Sequence, residues 1–485
     1  MSSLDDIIQT RRAKIQSYQA LGQNPYPTQF NRNASLQEIN SNFESWETKT
    51  VSVAGRVFAI REHGKITFFT LQDEQSEIQL LIKSDTLLTP TYSELSLFDI
   101  GDILGVKGVV LKSRTGQNSI QVTELQLLAK SLRPLPDDWD GLTDKETRLR
   151  KRYLDLIMNP QSRHVFAVRH GILREMRNFF NQKGYTEVEV PILQPLYGGA
   201  NAKPFTTYIN YLDTSAYLKI ASELYLKRLL VAGLGAVYDI AKNFRNEGID
   251  QTHYPEFTML ELYIPYADYF DMMNVIEEMT KVLATNVLQT TTLKIHDQEV
   301  DLAGSWRRVR MTDLIQEVLG LDVATMSDAQ LLEYAHSRNL EVTPETRRGE
   351  LVFALFDKLA SKTLIQPTWV YDYPAEISPL AKRKFDQPEI AERFELYVGT
   401  KEIYDGWSEM NDPVLQRASF ENEAYRKLDD NETAQPIDED FLEALEYGMP
   451  PAAGIGIGIE RLTMFFTNTW AIQETILFPF KKLEI

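Results

Sequence analysis

The spacing of apolar positions changes along the chain, and the first stretch has helical spacing. Leu4, Ile7 and Ile15 recur at intervals that place them on one face of an α-helix. Ser3 and Asp6 have the spacing of a capping box, in which each side chain bonds the backbone N–H of the other residue. The pattern therefore predicts an N-terminal helix that ends at the glycine and proline of LGQNP.

Beyond residue 51 the period shortens to that of β-strands. The strand-like runs, separated by turn-forming residues, are VSVAGRVFAI, KITFFTLQD, EIQLLIKSD, DILGVKGVVLK and NSIQVTELQLL. They predict a small barrel of the OB type, and such barrels commonly bind single-stranded nucleic acid through aromatic and basic side chains. The candidates for that surface are Arg61, Lys65, Phe68 and Phe69. The alternative, in which both phenylalanines belong to the core, stays open.

The rest of the chain mixes both periods. LRPLPDDWDGL is rich in proline and aspartate and is typical of a linker. After it, a long helical stretch, HVFAVRHGILREMRNFFNQKG, is followed by strand-like TEVEVPIL, AVYDIAKNF, FTMLELYI and FELYVG. This order predicts an α+β unit built around a sheet. Residues 325–365 have helical spacing and are interpreted as an insertion.

Composition and charge narrow the possible classes of protein. The 485 residues are 43% hydrophobic, which is enough for more than one folded unit, and there are no cysteines for disulfides, thiolate metal sites or a cysteine nucleophile. No apolar stretch predicts a membrane span or an export signal, so we expect a soluble, cytoplasmic protein. Residues 1–133 carry 14 basic and 14 acidic residues, so the net charge of −18 falls on residues 134–485. Two differently charged parts suggest two tasks.

Two strand-like segments carry polar side chains with strand parity. FRNEG places Arg245 and Glu247 two residues apart, which predicts that both face one side of a strand. In HYPEFTMLELY, Phe257, Glu261 and Tyr263 also share one face. A hairpin of the two segments would gather an arginine, two aromatic rings and carboxylates, which can hold a phosphate, a flat base and an amine. The alternative is a surface hairpin with a salt bridge.

A glycine pattern near the end of the chain points to a close approach. In GIGIGIER, Gly454, Gly456 and Gly458 alternate directly before Glu460 and Arg461. Three glycines at a spacing of two weaken a helix or a strand, so the pattern predicts that something is pressed against this backbone.

Read together, these segments resemble a known family. GYTEVEVPIL, FRNEGIDQTHYPEFTMLELY and GIGIGIER are similar, in order and spacing, to motifs 1, 2 and 3 of the class II aminoacyl-tRNA synthetases. GGANAKPF, ELYLKRLL, DYPAEISPLA and SEMNDP resemble segments of the lysyl-tRNA synthetases, and the resemblance covers nearly all of the chain. It implies ATP-dependent activation of L-lysine to lysyl-adenylate and transfer to tRNA(Lys), with Mg²⁺ and no side-chain nucleophile.

The resemblance also implies a domain plan. We expect an N-terminal helix and an OB-fold anticodon-binding domain in residues 1–133 and a linker in 134–150. Residues 151–485 would form a class II catalytic domain on a mostly antiparallel sheet flanked by helices. Motif 1 would form a homodimer interface, with Pro191 ending its strand. No contact with a membrane is expected.

By resemblance, the nucleotide site has an arginine at each end. Arg245 would bind the α-phosphate and the substrate carboxylate, and Arg461 would stack on adenine and approach the γ-phosphate, so these two are the predicted catalytic residues. The Gly-rich strand, Gly454 included, would leave room for the nucleotide. The implied ATP contacts are Arg245, Glu247, His253, Phe257, Glu402, Gly456, Gly458 and Arg461. Glu395 and Glu402 would bind Mg²⁺, although two glutamates taken alone are more often solvated surface charges.

The implied amino-acid pocket is acidic. Its positions match Gly199, Glu223, Arg245, Glu261, Tyr263, Asp405, Trp407 and Glu409. Three carboxylates, those of Glu223, Glu261 and Glu409, around one small ligand require a cationic ligand. Glu409 therefore argues against an aspartate or asparagine substrate and favours lysine.

Two positions depart from the family pattern. KEIYDGWSE has Asp405 where an asparagine is usual and Trp407 where a smaller aromatic residue is usual. An ionised aspartate cannot donate to the substrate carboxylate, so we expect weaker lysine binding and an Asp405→Asn gain worth roughly 1–3 kcal/mol. Three alternatives remain: Asp405 pairs with another cation, Trp407 shifts the loop so that a different donor serves, or the substrate is a different one.

In the barrel, the positions that match the family's anticodon contacts are Arg61, Phe68, Gln79 and Gln117. Gln117 stands where a glutamate is expected, so the reading of the anticodon is less firmly predicted than catalysis. Two other functions are considered: a paralogous ligase that transfers a lysine-like group to a protein, and an inactive relative that binds RNA or protein. The barrel argues against the first, and Arg245, Glu247 and Arg461 argue against the second.

Overall fold

The chain divides between Thr143 and Asp144 into two units. The structure, a computed structural model, describes residues 3–136, 142–295, 297–429 and 436–482. Residues 137–141, part of the predicted linker, lie outside the described residues. In the described ranges, no helix is both long and apolar enough to cross a lipid bilayer.

The first unit begins with the predicted helix. Helix α1 spans Leu4–Ala20, and the Ser3 hydroxyl accepts from the N–H of Asp6 while the Asp6 carboxylate accepts from the N–H of Ser3. The predicted capping box is therefore confirmed. Two short helices follow, α2 at Leu36–Ser41 and α3 at Phe43–Trp46.

A closed five-stranded barrel forms the body of the first unit. Its strands are β1 Thr50–His63, β2 Ile66–Gln72, β3 Glu77–Lys83, β4 Ile103–Lys112 and β5 Asn118–Ala129, joined in the order β1-β2-β3-β5-β4. Each of the five predicted runs became one strand, so the predicted barrel is confirmed. Buried and partly exposed residues alternate along β2, because successive side chains of a strand point to opposite faces.

That alternation separates the two phenylalanines of β2. Phe69 is 1% exposed and packs in the barrel core, whereas Phe68 is half-buried on the other face. Helix α1 packs against the same core through Tyr18, whose hydroxyl accepts a hydrogen bond from the N–H of Leu127. A buried cation, the Lys130 ammonium, joins Asp99 Oδ2 at 2.6 Å and Asp102 Oδ2 at 2.8 Å.

The second unit is built on an eight-stranded sheet in the order β14-β15-β16-β17-β18-β11-β10-β6. Its strands are β6 Thr186–Glu187, β10 Val237–Phe244, β11 Glu256–Pro265, β14 Arg307–Arg310, β15 Thr368–Pro374, β16 Ile390–Val398, β17 Lys401–Ser408 and β18 Ala452–Gly458. All neighbours are antiparallel except β14 with β15 and β10 with β6. The predicted mostly antiparallel sheet is confirmed.

Smaller sheets and helices surround the large sheet. The minor strands are β7 Leu193–Gln194, β8 Thr206–Ile209 and β9 Thr214–Leu218 in one sheet, and β12 Thr292–Ile295 with β13 Gln298–Asp301 in another. The helices are α4 Lys145–Arg150, α5 Arg152–Met158, α6 Pro160–Gln182, α7 Glu223–Val231, α8 Tyr269–Leu283, α9 Met311–Leu319, α10 Asp328–Ser337, α11 Arg348–Lys358, α12 Pro413–Asp429, α13 Glu439–Glu446 and α14 Ile459–Thr467. Helices α10 and α11 account for the helical spacing in residues 325–365.

Three predicted details are wrong. The motif 1 strand comprises only Thr186 and Glu187, because only this pair takes part in the ladder beside β10. Strand β10 ends at Phe244, so Arg245 and Glu247 lie in the connecting loop rather than on a strand. Helix α4 falls within the predicted linker 134–150.

The predicted hairpin itself is present. Strands β10 and β11 pair in register, with Asn243 opposite Phe257 and Asp239 opposite Glu261. Strand β18 lies on the other side of β11, with Gly456 opposite Glu261. The hairpin and the glycine-rich strand are therefore neighbours in one sheet, although almost two hundred residues separate them in sequence.

Candidate active site

A cavity of about 1020 Å³ lies over strands β11, β17 and β18 of the second unit. It brings together most of the site residues that the sequence predicted for this unit. Those that line it are Gly199, Glu223, Arg245, Glu247, His253, Phe257, Glu261, Tyr263, Glu402, Asp405, Trp407, Gly456, Gly458 and Arg461. Glu395, Glu409 and Gly454 are not among the lining residues.

The alternate glycines of β18 serve two different purposes. A methyl group at Gly456 would come no closer than 3.6 Å to a protein atom, and one at Gly458 no closer than 3.8 Å, so both keep cavity space free. A methyl group at Gly454 would lie 2.5 Å from the Tyr263 ring and would also collide with the Glu409 carboxylate. The prediction that Gly454 makes room for the nucleotide is therefore wrong, because its space is filled by these two side chains.

Three buried glutamates lie together at the acidic end of the cavity, two of them, Glu223 and Glu261, in its lining. Glu223 begins α7, Glu261 lies in β11 and Glu409 follows β17, and each is at most 4% exposed. Burial raises the pKa of each carboxyl group to about 7. Within the described residues, Glu409 Oε1 is buried and has no hydrogen-bond partner. This oxygen lies against Gly454, and Glu409 is not among the residues that line the cavity.

Backbone and side-chain donors hold Glu261 in place. Its Oε1 accepts from the N–H of Ser222 at 2.7 Å and from Asn243 Nδ2 at 3.4 Å, and its Oε2 accepts from the Tyr263 hydroxyl at 3.4 Å. The Ser222 hydroxyl in turn donates to Asp239 Oδ2 at 2.6 Å. Gly199 closes this end with φ +81°, a backbone conformation that favours glycine.

Next to the acidic end, an arginine packs on an aromatic ring. The guanidinium carbon of Arg245 is 5.1 Å from the centre of the Phe257 ring, and Arg245 Nε donates to the Ile220 carbonyl at 3.4 Å. Burial lowers the pKa of Arg245, while Glu261 and Glu247 act in the opposite direction. In the connecting loop, Glu247 Oε1 accepts from the N–H of Lys203 at 3.3 Å.

The second arginine approaches from the start of α14. Arg461 Nη2 lies 3.2 Å from His253 Nε2, and His253 Nδ1 lies 2.8 Å from Asp250 Oδ2. The neighbouring Glu460 is buried and accepts from Arg169 Nη2 at 2.8 Å and from the N–H of Thr258 at 2.9 Å. Glu460 thus fixes the start of α14 to β11, which leaves the next side chain, Arg461, facing the cavity.

Asp405 is paired with a cation that the sequence analysis missed. Arg393 Nε donates to Asp405 Oδ1 at 2.9 Å and its Nη2 donates to Asp405 Oδ2 at 3.0 Å. The same Nη2 donates to Glu395 Oε1 at 2.7 Å, and the Tyr397 hydroxyl donates to Glu395 Oε2 at 2.6 Å. The structure therefore favours the alternative in which Asp405 pairs with another cation. Trp407 Nε1 donates to Glu409 Oε2 at 3.0 Å.

The residues predicted to bind a metal differ in their surroundings. Among the residues that the structure describes, no group of three His, Cys, Asp or Glu side chains is arranged to hold a metal ion. Glu402 lines the cavity, and its Oε1 lies 3.9 Å from Arg461 Nη1. Glu395 is buried, and both its oxygens already accept hydrogen bonds. Of the two, Glu402 is placed to meet a hard cation such as Mg²⁺, whose other ligands would be phosphate and water oxygens.

The predicted anticodon residues lie on the barrel of the first unit. Arg61 is opposite Phe68 in the β1–β2 ladder, so the two side chains share the outer face. Gln79 follows on β3, opposite Thr70, and its Oε1 accepts from the Ser119 hydroxyl at 3.1 Å. Gln117 is exposed in the turn between β4 and β5. The first three therefore belong to one surface, and Gln117 lies at its edge.

Two cations that pair with predicted site residues escaped the sequence analysis although each had a signal. Lys227 stands four residues after Glu223, the spacing of a helical ion pair, and its ammonium contacts Glu223 and Glu409. Arg393 stands two residues before Glu395 on one strand, so both face the same side. Neither signal by itself predicts that Glu409, which follows β17, lies within reach of Lys227. Nor does it predict that Asp405 in β17 lies within reach of Arg393.

Comparison with known proteins defines the class of protein first. The family described as tRNA synthetases class II (D, K and N) matches residues 144–482, and the family described as OB-fold nucleic acid binding domain matches residues 51–135. The first match covers the large sheet with its cavity, and the second covers the barrel. The fold is thus that of a class II tRNA synthetase preceded by an OB-fold domain.

Curated relatives narrow the assignment. The chain is 44% identical to the lysine–tRNA ligase of Thermoanaerobacter sp. (strain X514), with 99% of this chain and 96% of the relative covered. It is 45% identical to that of Carboxydothermus hydrogenoformans, with 98% of each chain covered, and 45% identical to that of Clostridium tetani, with 99% and 96% covered. The chain belongs to the lysine–tRNA ligase family.

The glycine strand supports a prediction about stability. We expect Gly454→Ala to lower the free energy of unfolding by about 1–3 kcal/mol, because the new methyl group overpacks against Tyr263 and Glu409. Gly456→Ala is the matched control, since its methyl group meets ordinary contact distances. Denaturant unfolding of both variants and the wild type measures the difference, and equal midpoints would contradict the assigned packing.

Proposed function

We propose that this protein, in the cytoplasm, activates L-lysine with ATP to lysyl-adenylate and pyrophosphate and transfers the lysyl group to tRNA(Lys). The observation that carries the proposal is the acidic end of the cavity, where Glu223, Glu261 and Glu409 are buried together. Buried carboxylates stay charged only where hydrogen-bond donors or a cation compensate them. Lysine supplies two ammonium groups, and Glu409 Oε1 is an unpartnered acceptor within the described part of the chain.

Arg245 divides the cavity between amino acid and nucleotide. Arg245 lies beside Glu261, so a substrate whose α-ammonium pairs with Glu261 would bring its carboxylate to Arg245. Arg245 also lies next to Phe257, which would pack on adenine. A guanidinium can bind the substrate carboxylate and the α-phosphate together, because it presents several donors in one plane. It would bring the carboxylate oxygen to the α-phosphorus and offset the repulsion between the two anions.

The chemistry needs no side-chain nucleophile. The lysine carboxylate oxygen forms a bond to the α-phosphorus, the bond from phosphorus to the bridging oxygen breaks, and pyrophosphate leaves. The terminal ribose hydroxyl of tRNA then attacks the adenylate carbonyl, and AMP leaves. Arg461, held beside His253, is suited to the outer phosphates. Gly456 and Gly458 leave the space over β18 open for the nucleotide.

Mg²⁺ belongs to the proposal as well. It would neutralise phosphate charge when bound with ATP. Glu402, which lines the cavity, would bind it, and Glu395, whose carboxylate accepts from Arg393 and Tyr397, would be the second protein ligand.

One pair of assays tests the activity. We expect pyrophosphate exchange into ATP that depends on lysine, and charging of tRNA(Lys) with lysine. A paralogous ligase would show the exchange without charging, and an inactive relative would show neither. Nothing in the matched relatives supports those alternatives. Exchange with aspartate or asparagine in place of lysine would contradict the proposed substrate.

The ion pair between Arg393 and Asp405 reverses the expectation from sequence that Asp405→Asn improves lysine binding. Because Asp405 accepts two hydrogen bonds from Arg393, the asparagine loses a charge-assisted contact, and we expect kcat/KM for lysine to fall by an amount worth about 1–3 kcal/mol. Pyrophosphate exchange across lysine concentrations measures it. The same change at exposed Asp386 is the control. A higher kcat/KM would support repulsion of the substrate carboxylate instead.

The outer face of the barrel is proposed to bind the anticodon. Arg61 can contact phosphate, Phe68 can stack on a base, and Gln79 can form hydrogen bonds to a base edge. This division of tasks agrees with the separate match of residues 51–135 to an OB-fold nucleic acid binding domain. Gln117 would contribute from the turn.

Phe68→Ala tests this face. We expect kcat/KM for tRNA charging to fall by an amount worth about 1–3 kcal/mol through lost stacking, while lysine-dependent pyrophosphate exchange stays unchanged. Tyr26→Ala removes an exposed aromatic side chain of the same unit outside the barrel strands and serves as control. Equal losses in both assays would show that Phe68 supports the fold rather than contacting tRNA.

A homodimer is also proposed, on the basis of exposed apolar surface. Around the β7-β9-β8 sheet, large apolar side chains are exposed at Ile192, Leu193, Leu196, Tyr208, Tyr211 and Leu212. Clustered exposed apolar residues of this kind mark interaction surfaces. They follow the motif 1 segment along the chain, which supports its predicted role in self-association.

Sedimentation tests the dimer. We expect a species of about twice 55.7 kDa at micromolar concentration. Leu212→Glu should shift it toward monomer, because a charge within an apolar interface is costly to bury. Leu88→Glu, at an exposed leucine of the first unit, is the control. A wild-type protein that sediments as a monomer would refute the proposal.

A further inference from the structure

Lys227 is a buried cation to which the proposed reaction assigns no role. Its side chain is fully buried, and its ammonium lies 2.5 Å from Glu223 Oε1 and in direct contact with Glu409 Oε2. Glu223 is one turn earlier on α7, whereas Glu409 follows β17. One ammonium group therefore connects two carboxylates that come from separate parts of the chain and that both belong to the acidic end of the cavity.

The charges around this end can be counted. The titratable and charged groups that face it come from α7, β10 and the loop after it, β11, β17, and the segments after β9 and β17. They are Glu223, Lys227, Asp239, Arg245, Glu261, Tyr263, Asp405, Glu409 and Lys219. Lys219 is paired with Asp239 at 2.9 Å, and Asp405 is paired with Arg393. Arg245 is matched to the substrate carboxylate in the proposed reaction. The three glutamates and Lys227 remain, and their formal charges sum to −2.

We propose that Lys227 is a positioning residue of the amino-acid pocket: its ammonium cancels one carboxylate charge and holds Glu223 and Glu409 in place to receive a ligand with two ammonium groups. This inference rests on the proposed activation of lysine, whose α- and ε-ammonium groups match the remaining charge. Lys227 does not touch the reacting atoms. It acts on the substrate only through the two glutamates.

Loss of this ammonium should change proton binding as well as geometry. Lys227 lowers the pKa of both Glu223 and Glu409, against the larger raising effect of burial. Without Lys227 these pKa values rise further, so the free pocket holds a proton to higher pH. A protonated carboxyl group cannot pair with an ammonium, and lysine binding must release that proton. In such a variant, lysine affinity therefore rises with pH. The pH range over which it rises lies higher than in the wild type.

The test uses the full-length protein and lysine-dependent pyrophosphate exchange at several pH values with saturating ATP. For Lys227→Met we expect KM for lysine to rise about 10- to 100-fold near neutral pH, the usual effect of an unmet buried polar contact, with KM for ATP almost unchanged. The rise should shrink as pH increases. Lys227→Arg keeps the charge and should recover most of the affinity with no shift in the pH profile.

Lys130→Met is the matched control, because Lys130 is an equally buried lysine that joins two carboxylates in the first unit. It should leave KM for lysine and its pH profile unchanged. A Lys227→Met variant with wild-type lysine KM and pH profile would overturn the inference. So would equal losses for lysine and ATP at every pH, which indicate a purely structural role.

If Lys227→Met does not fold, Lys227→Arg decides the question: an arginine variant with the pH profile of the wild type supports the inference, and one with a shifted profile contradicts it. Failure of the proposed function gives a different result, since the wild type itself would then show no lysine-dependent exchange. That result would remove the basis of the inference together with the function.

Discussion

Three carboxylates buried in one small space repel one another, and much of the second unit is arranged to make that burial possible. An unpaired buried carboxylate costs on the order of several kcal/mol, so each needs donors or a cation. Glu261 receives a backbone N–H, Asn243 and Tyr263, whereas Glu223 and Glu409 share Lys227. These supports leave one buried oxygen, Glu409 Oε1, without a partner among the described residues. The compensation is therefore incomplete at this oxygen, which lies against Gly454.

The glycine strand solves a packing problem that follows from this charge cluster. Tyr263 and Trp407 lie opposite Gly454 on the two strands that flank β18, and Glu409 lies against the same glycine. A side chain at Gly454 would displace the groups that carry the acidic pocket, while side chains at Gly456 and Gly458 would extend into the cavity. One alternating sequence pattern thus supports two neighbouring sites, one for the amino acid and one for the nucleotide.

Asp405 shows how a departure from the family pattern can be accommodated. Read from the sequence, the aspartate removes a donor and adds a negative charge beside a substrate carboxylate. In the structure, Arg393 binds Asp405 through two hydrogen bonds and Glu395 through a third, so the added charge is balanced by an arginine that already faces the same side of the sheet. The effect of the substitution depends on this pairing more than on the change of residue type.

The sequence by itself determined the capped first helix, the five barrel strands and the pairing of the hairpin, because these follow from local spacing and from the alternation of side chains. It also identified the cavity residues through short motifs. It could not show that β10 ends at Phe244, that Gly454 accommodates protein side chains, or that Arg393 and Lys227 neutralise acids. Lys227 and Glu409, for example, are separated by 182 residues, and only the folded sheet brings them into contact. Such ion pairs depend on distances of a few ångströms, which local sequence patterns do not encode and tertiary packing decides.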